Sequence, residues 1–233
     1  MRVLLIGDTG TGKTVTSLTL SKYFRTLYYD IDLGTEEWKE TLSIGNNVRI
    51  VEIRDWKEYK NRDIKKGINM KPDMIVVDSI SELYEKYKDY VQDYVRKTGK
   101  FPMPVATGVV DLLRKGIDPE FITIPMQMYG LLYDTILNVV TNAVSYSKHS
   151  IITMHPLETR MAVNLENGTS QIIHSAGKLN FLQGIYRKVD VIIKLKKPMK
   201  GQVLKARGEL ELPEDFVDPI EYLKRKLGVK DET

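Results

Sequence analysis

Short continuous runs of apolar residues recur along the chain, and segments with helical spacing lie between them. Such runs are typical of parallel strands that are buried on both faces of a sheet. The runs lie at Val3–Ile6, Leu27–Asp32, Met74–Ser79 and Ser150–His155. A further segment, Val48–Ile53, alternates between apolar and polar residues and also predicts a strand. The pattern indicates a mostly parallel central sheet.

The intervening segments predict the helices that flank this sheet. From Ile80 to Val95 apolar residues recur every three or four positions, and we interpret the tyrosines among them as packing groups. Met126–Lys148 is apolar nearly all round, which predicts a long buried helix. Further helices are predicted at Val15–Phe24, Thr35–Ser43, Asp55–Lys66 and Pro219–Leu227.

Three other segments complete the predicted fold. Gly99–Pro125 is rich in proline and lacks periodicity, which indicates an excursion from the core. Asn167-Gly168 predicts a hairpin within residues 156–178. Val189–Leu195 and Val203–Leu212 predict C-terminal antiparallel strands. We therefore expect one α/β domain over residues 1–233, with a mostly parallel central sheet flanked by helices.

The segment between the first strand and the first helix has the composition of a phosphate-binding loop. Its glycines allow backbone N–H groups to approach phosphate oxygens, and the helix start adds a partial positive charge. Lys13 can reach the β- and γ-phosphates, while the Thr14 hydroxyl can ligate Mg²⁺. A glycine-rich turn that only caps the helix is the alternative. The phosphate loop consists of Gly7, Asp8, Thr9, Gly10, Thr11, Gly12, Lys13 and Thr14.

Hydrolysis of a bound nucleotide also needs an acid that holds the metal and a group that orients water. Asp78 closes an apolar strand and is expected to hold Mg²⁺ together with Thr14; capping of the next helix is the alternative. For the water, we rank Asp32 first and Glu36 second, because Asp32 ends the strand after the phosphate-loop helix. Glu36 also fits a plain helix start, where acids are favoured. His155 ends an inner strand, where it is either structural or in contact with the γ-phosphate.

Composition and charge add limits to these predictions. The chain has no cysteine, which excludes disulfides, thiol catalysis and cysteine metal sites, and favours a cytoplasmic protein. No segment is long and apolar enough to predict a membrane span. The net charge is only +4, but residues 178–207 are strongly basic. Such a stretch fits either a nucleic-acid surface or an ordinary solvated face.

Taken together, these motifs resemble those of RecA-like P-loop ATPases. The phosphate loop, the carboxylates of Asp30-Ile31-Asp32, the Met74–Ser79 strand and Met154-His155 follow one another in that family's order. The chain is similar in particular to small ATP-binding proteins of phages and archaeal viruses, some of which are single-strand annealing proteins built on a RecA core. The resemblance spans Met1–Leu212.

The resemblance implies ATP and Mg²⁺ as cofactors, assembly into a homo-oligomeric ring or filament, and action on single-stranded DNA in recombination or annealing. A viral protein of this type would work in the host cytoplasm. The segments that would face DNA are 99–125 and 156–178. Lys194 and Lys196 resemble the paired lysines that some RecA proteins offer to a neighbour's γ-phosphate. Asp32 stands where that family commonly has Glu, which makes a low rate of hydrolysis the expectation.

Two other functions are compatible with a phosphate loop. A P-loop kinase for a small molecule needs the same loop, but 99–125 has only Arg114 and Lys115 where a kinase lid would present several arginines. An assembly or packaging ATPase would use the nucleotide only to set its oligomeric state. ATP turnover measured with and without single-stranded DNA would test the DNA hypothesis, and turnover that a small-molecule acceptor supports without DNA would favour the kinase.

Overall fold

The computed structural model describes most of the chain. The described residues are 1–62, 64, 71–98, 126–156, 159–164, 170–175, 182–196, 199–209, 211–213 and 215–229. The predicted excursion at 99–125 and the predicted hairpin turn at 165–169 lie outside them.

Nine strands and seven helices are found in the described residues. The strands are β1 (Arg2–Ile6), β2 (Thr26–Asp30), β3 (Val48–Glu52), β4 (Met74–Asp78), β5 (His149–Met154), β6 (Thr159–Asn164), β7 (Ser170–Ser175), β8 (Val191–Lys196) and β9 (Lys200–Ala206). The helices are α1 (Lys13–Ser21), α2 (Glu36–Lys39), α3 (Trp56–Asn61), α4 (Ile80–Thr98), α5 (Met126–Ser145), α6 (Leu182–Tyr186) and α7 (Pro219–Leu227).

The sheet confirms the predicted fold class. In the described part of the chain, seven strands form one sheet in the order β3-β2-β4-β5-β1-β8-β9. All neighbours are parallel except β8 and β9, which pair antiparallel as predicted for the C-terminal strands. Strands β2, β4 and β5 are buried along their whole length, which explains why their sequences are continuous apolar runs.

Alternation along the strands divides the core into two layers. In β1, Leu4 and Ile6 belong to a cluster that includes buried residues of α4 and α5. Val3 and Leu5 point to the other face, where the cluster includes residues of α1 and α7. Helices therefore cover both faces of the sheet, and the carboxyl ends of the parallel strands meet at one open edge.

Several element boundaries differ from the sequence predictions. Helix α2 is only Glu36–Lys39 and α5 ends at Ser145. In the described part of α5, Ile136 and Val140 are buried whereas Tyr133 is exposed, so the prediction of an all-round buried helix was wrong. Strand β9 starts earlier than predicted and ends at Ala206, because the chain turns at Gly208, which has a φ of 88°.

The hairpin predicted within 156–178 is present as a separate two-stranded sheet. Strands β6 and β7 pair antiparallel, from Thr159 opposite Ser175 to Asn164 opposite Ser170. Among the helices described, none is long and apolar enough to cross a membrane.

Candidate nucleotide site

Four neighbouring strands end at the edge of the sheet where the predicted chemistry lies. Strands β2, β4, β5 and β1 are adjacent in that order and run parallel. The phosphate loop follows β1, Asp78 ends β4, His155 follows β5, and Asp32 lies just after β2. Ligands of open α/β sheets gather at such an edge. The topology thus brings together four segments that are far apart in sequence.

Two glycines of the phosphate loop lie where a side chain would not fit. A Cβ on Gly7 would come within 2.4 Å of Thr11 Oγ1 and 3.1 Å of the Leu195 carbonyl oxygen. Gly12 has a φ of 97°, and a Cβ there would approach Met199 Cγ to 2.7 Å. Met199, which directly precedes β9, therefore packs against the loop at Gly12, and α1 begins directly after this glycine.

The ammonium group of Lys13 folds back over the loop. Its Nζ donates to the carbonyl oxygens of Gly7 at 2.8 Å and Asp8 at 3.1 Å, and lies 3.4 Å from His155 Nδ1. Burial lowers the pKa of Lys13, while Asp78, Asp32 and Asp8 act in the opposite direction. A buried cation with three nearby carboxylates is thus held at the centre of the loop.

The carboxylate of Asp78 is fully buried, and each of its oxygens accepts a hydroxyl. Tyr28 donates to Oδ2 at 2.6 Å, and Thr153 donates to Oδ1. Burial raises the pKa of Asp78, and the nearby Asp32 adds to this; hydrogen bonds from Thr153, Tyr28 and Thr14 work against it. Capping of the next helix falls to Ser79, whose Oγ accepts from the Glu82 N–H at 3.3 Å.

Asp32 and His155 form a pair beside the loop. Asp32 Oδ2 lies 3.5 Å from His155 Nε2, whereas Asp32 Oδ1 is buried and has no hydrogen-bond partner among the described residues. Burial acts to raise the pKa of Asp32, but the contact with His155 acts against it, and the pKa is lowered. The backbone N–H of His155 donates to Ser81 Oγ at 3.0 Å, which fixes the backbone directly after β5. His155 therefore connects Lys13 to Asp32.

Asp30 and Glu36, two further acids near this edge, have different surroundings. Asp30 accepts from the N–H groups of Gly34 and Thr35 and from the Thr35 hydroxyl, so it shapes the turn that carries Asp32. Glu36 is 76% exposed and pairs with Lys39 on its own helix. The structure therefore brings Asp32, but not Glu36, into contact with the other predicted site residues.

The buried hydroxyls around Asp78 were not predicted from the sequence. Tyr28 and Thr153 occur within apolar strands, and the continuous apolar pattern gave them no separate role. The available signal was their position: a hydroxyl in the middle of a doubly buried strand needs a polar partner. Asp78 supplies that partner for both.

The basic C-terminal residues divide into two groups. Lys205 donates to the Tyr186 and Val189 carbonyl oxygens, at 2.5 and 2.7 Å, and Arg207 lies 3.1 Å from Asp190. These two side chains hold the chain together around α6 and β8. Lys194 and Lys196 are exposed on β8, and Lys196 Nζ lies 4.8 Å from the centre of the Phe216 ring.

Comparison with known proteins gives the family. A sequence comparison with curated proteins finds no match. Among solved structures, the chain is similar to a KaiC-like protein from the hyperthermophilic archaeon Pyrococcus horikoshii OT3, with 11% identity and a TM-score of 0.44, over 91% of this chain and 82% of that one. The family model described as an AAA domain matches residues 1–209. The chain therefore belongs to this AAA domain family and is a P-loop nucleotide-binding protein.

Proposed function

We propose that this protein binds ATP together with Mg²⁺ and hydrolyses it. The observation that carries the proposal is the buried Oδ1 of Asp32 beside the phosphate loop, which has no hydrogen-bond partner within the described part of the chain. A buried carboxylate oxygen without a partner is costly unless a ligand or water completes its hydrogen bonding. A water held there by Asp32 would lie next to the phosphates that the loop binds.

The residues at this edge fit a magnesium ion, since Mg²⁺ prefers oxygen ligands and keeps several waters. Thr14 and Asp78 would hold it, the first through its hydroxyl and the second through water. When bound, Mg²⁺ neutralises charge on the β- and γ-phosphates. Lys13 would leave the carbonyl oxygens of Gly7 and Asp8 for phosphate oxygens, which are stronger acceptors because they are charged.

Asp32 is the group best suited to orient the attacking water. Its lowered pKa keeps the carboxylate ionised at neutral pH, and an ionised carboxylate accepts hydrogen bonds from water. His155 contacts both Asp32 and Lys13, so a phosphate group that binds between them would change the contacts of His155. The four strand ends therefore supply the groups that the proposed chemistry needs to bind and orient its reactants.

The test compares Asp32→Asn with Glu36→Gln as the matched control. Asp32→Asn should lower ATP turnover by about 10²–10⁴-fold, the usual contribution of a positioned base, and leave ATP affinity unchanged. Glu36→Gln should retain turnover, because Glu36 is exposed and paired with Lys39. The opposite result would assign the water to Glu36. Turnover that requires a small-molecule acceptor would support a kinase instead.

We also propose assembly of several copies around the nucleotide. Lys194 and Lys196 are exposed at the end of β8, and such groups could reach the γ-phosphate of a neighbouring copy. Replacing both with Ala should lower turnover more than ATP affinity, because a donor from a neighbour acts mainly on the transition state. A wild-type protein that is fully active as a monomer would contradict assembly.

Single-stranded DNA is the proposed partner of the assembled protein. Hairpin β6–β7 begins four residues after His155 and lies outside the main sheet. We therefore propose that nucleotide binding at His155 affects the position of this hairpin, which would contact DNA. Binding to DNA should weaken as salt increases, and the slope of log affinity against log salt should be about −0.7 for each phosphate that the protein neutralises. Absence of DNA binding at low salt with ATP would leave nucleotide-dependent assembly as the function.

A further inference from the structure

A buried network of hydroxyl groups surrounds Asp78 and reaches the phosphate-loop helix. Tyr28 Oη lies 2.6 Å from Asp78 Oδ2 and 2.8 Å from Ser17 Oγ. Ser17 Oγ in turn lies 3.0 Å from the Thr14 carbonyl oxygen. On the other side, Thr153 donates to Asp78 Oδ1. Tyr28 thus lies between the Asp78 carboxylate and Ser17 of the phosphate-loop helix.

Strand register explains how two separate strands supply these groups. Tyr28 on β2 pairs with Val76 on β4, so it lies diagonally from Asp78 on the same face of the sheet. Strand β5 flanks β4 on the other side, and Thr153 follows the pair Val77–Ile152 by one residue. Asp78 is therefore held from both neighbouring strands, and α1 covers the same face.

Simple packing does not account for the two hydroxyls. Tyr28 and Thr153 are fully buried, and a buried hydroxyl is unfavourable unless it is hydrogen bonded. Phenylalanine and valine would fill the same space without that requirement. Each hydroxyl instead meets one oxygen of the same carboxylate, which fixes the plane of that carboxylate.

We propose that Tyr28 and Thr153 are positioning residues that orient the Asp78 carboxylate toward Mg²⁺ bound with the nucleotide. Tyr28 and Thr153 each hold one oxygen of the carboxylate, and the carboxylate keeps a lone pair for a water of the metal. Asp78 also accepts a hydrogen bond from the side chain of Thr14, the residue expected to hold the same metal. The inference rests on the proposed function and assigns to this site two residues that lie behind it in the sheet.

The test measures binding of a fluorescent ATP analogue over a series of Mg²⁺ concentrations. Partners that orient metal ligands typically change metal affinity by about 10–100-fold when they are removed. Tyr28→Phe and Thr153→Val should each raise the Mg²⁺ concentration at half-maximal effect by about tenfold or more. Thr153→Ser should keep the wild-type midpoint, since it retains the hydroxyl. Affinity for the analogue in EDTA should be the same in all variants.

Tyr29→Phe is the matched control. Tyr29 is the next residue of β2, is also buried, and donates to the Arg62 carbonyl oxygen at 2.9 Å on the opposite face of the sheet. Its loss should leave the Mg²⁺ midpoint unchanged. If Tyr28→Phe fails to fold, the comparison of Thr153→Val with Thr153→Ser still tests whether a hydroxyl on Asp78 sets the Mg²⁺ midpoint.

Unchanged midpoints in Thr153→Val and in a folded Tyr28→Phe would overturn the inference and leave the proposed function intact. A wild-type protein whose binding of the analogue does not depend on Mg²⁺ would overturn both. These two failures are distinguishable, because the second is visible before any variant is made.

Discussion

His149 is a residue whose charge depends directly on folding. It opens β5, where its Nδ1 lies 3.0 Å from the Met1 amino nitrogen and its ring packs 4.9 Å from that of Phe24. Burial, and then the charge of the Met1 amino group, lower its pKa from 6.5 to about 4. The folded protein therefore keeps His149 neutral over a range in which the unfolded chain protonates it.

This shift predicts a loss of stability in acid. Between pH 6.5 and about 4 the unfolded state binds the extra proton, so the free energy of unfolding decreases as the pH falls. We expect the destabilisation to be absent above this window and complete below it. Denaturant unfolding of the wild type and of His149→Gln at several pH values would measure this loss. Carboxylates titrate in both proteins, so the difference between their free energies of unfolding isolates the contribution of His149. A difference in stability that is constant with pH would contradict the assigned pKa.

Individual site residues were predictable where a local motif defines them. The phosphate loop, Asp78 and Asp32 follow from a glycine pattern and from acids at strand ends. Tyr28 and Thr153 did not follow, because their role depends on the register of three strands. Asp30 and Asp32 are two residues apart, yet one shapes a turn and the other faces His155, and sequence spacing does not separate these roles.

Among the elements, α7 is where local sequence and structure agree most closely. Asp218 precedes it and accepts from the N–H groups of Ile220 and Glu221, Pro219 occupies its first turn, and Gly228 ends it with a φ of 72°. Its buried residues Tyr222, Leu223 and Leu227 belong to the core layer that also contains Leu18 of α1. Helix α7 therefore helps to hold the phosphate-loop helix against the sheet.

Loss of the cap should weaken the whole domain. Asp218→Ala removes the acceptor for two N–H groups and should lower the free energy of unfolding by about 0.5–2 kcal/mol. Asp215→Ala changes an exposed acid shortly before the helix and serves as the control. Thermal or denaturant unfolding would compare them. Equal stability of the two variants would show that the cap does not stabilise the domain.

Other elements show where local patterns are insufficient. Apolar residues around α5 predicted burial on all sides, but in its described part the neighbours α4, β4 and β5 leave Tyr133 exposed. The end of β9 was also misplaced, because apolar residues continue to Leu212 while pairing with β8 ends at Ala206. Strand ends are set by the partner strand, which the local sequence does not specify.

For the whole molecule, the order of strands is what creates the site. β5 lies between β4 and β1, so His155 falls between Asp78 and the phosphate loop. The fold class was predictable from alternating apolar runs and helical segments, but this strand order was not. One lysine, two aspartates and one histidine converge because the strands that carry them are neighbours in the sheet.

The central claim is that this edge of the sheet binds and hydrolyses ATP through Lys13. The most direct measurement is ATP turnover with Mg²⁺ by the wild type and Lys13→Ala, with Lys97→Ala as a control on the exposed end of α4. Loss of one preorganised charged donor typically costs about 10²–10³-fold in rate, so Lys13→Ala should lose at least that factor. Lys97→Ala should match the wild type. Wild-type turnover in a folded Lys13→Ala protein would contradict the account.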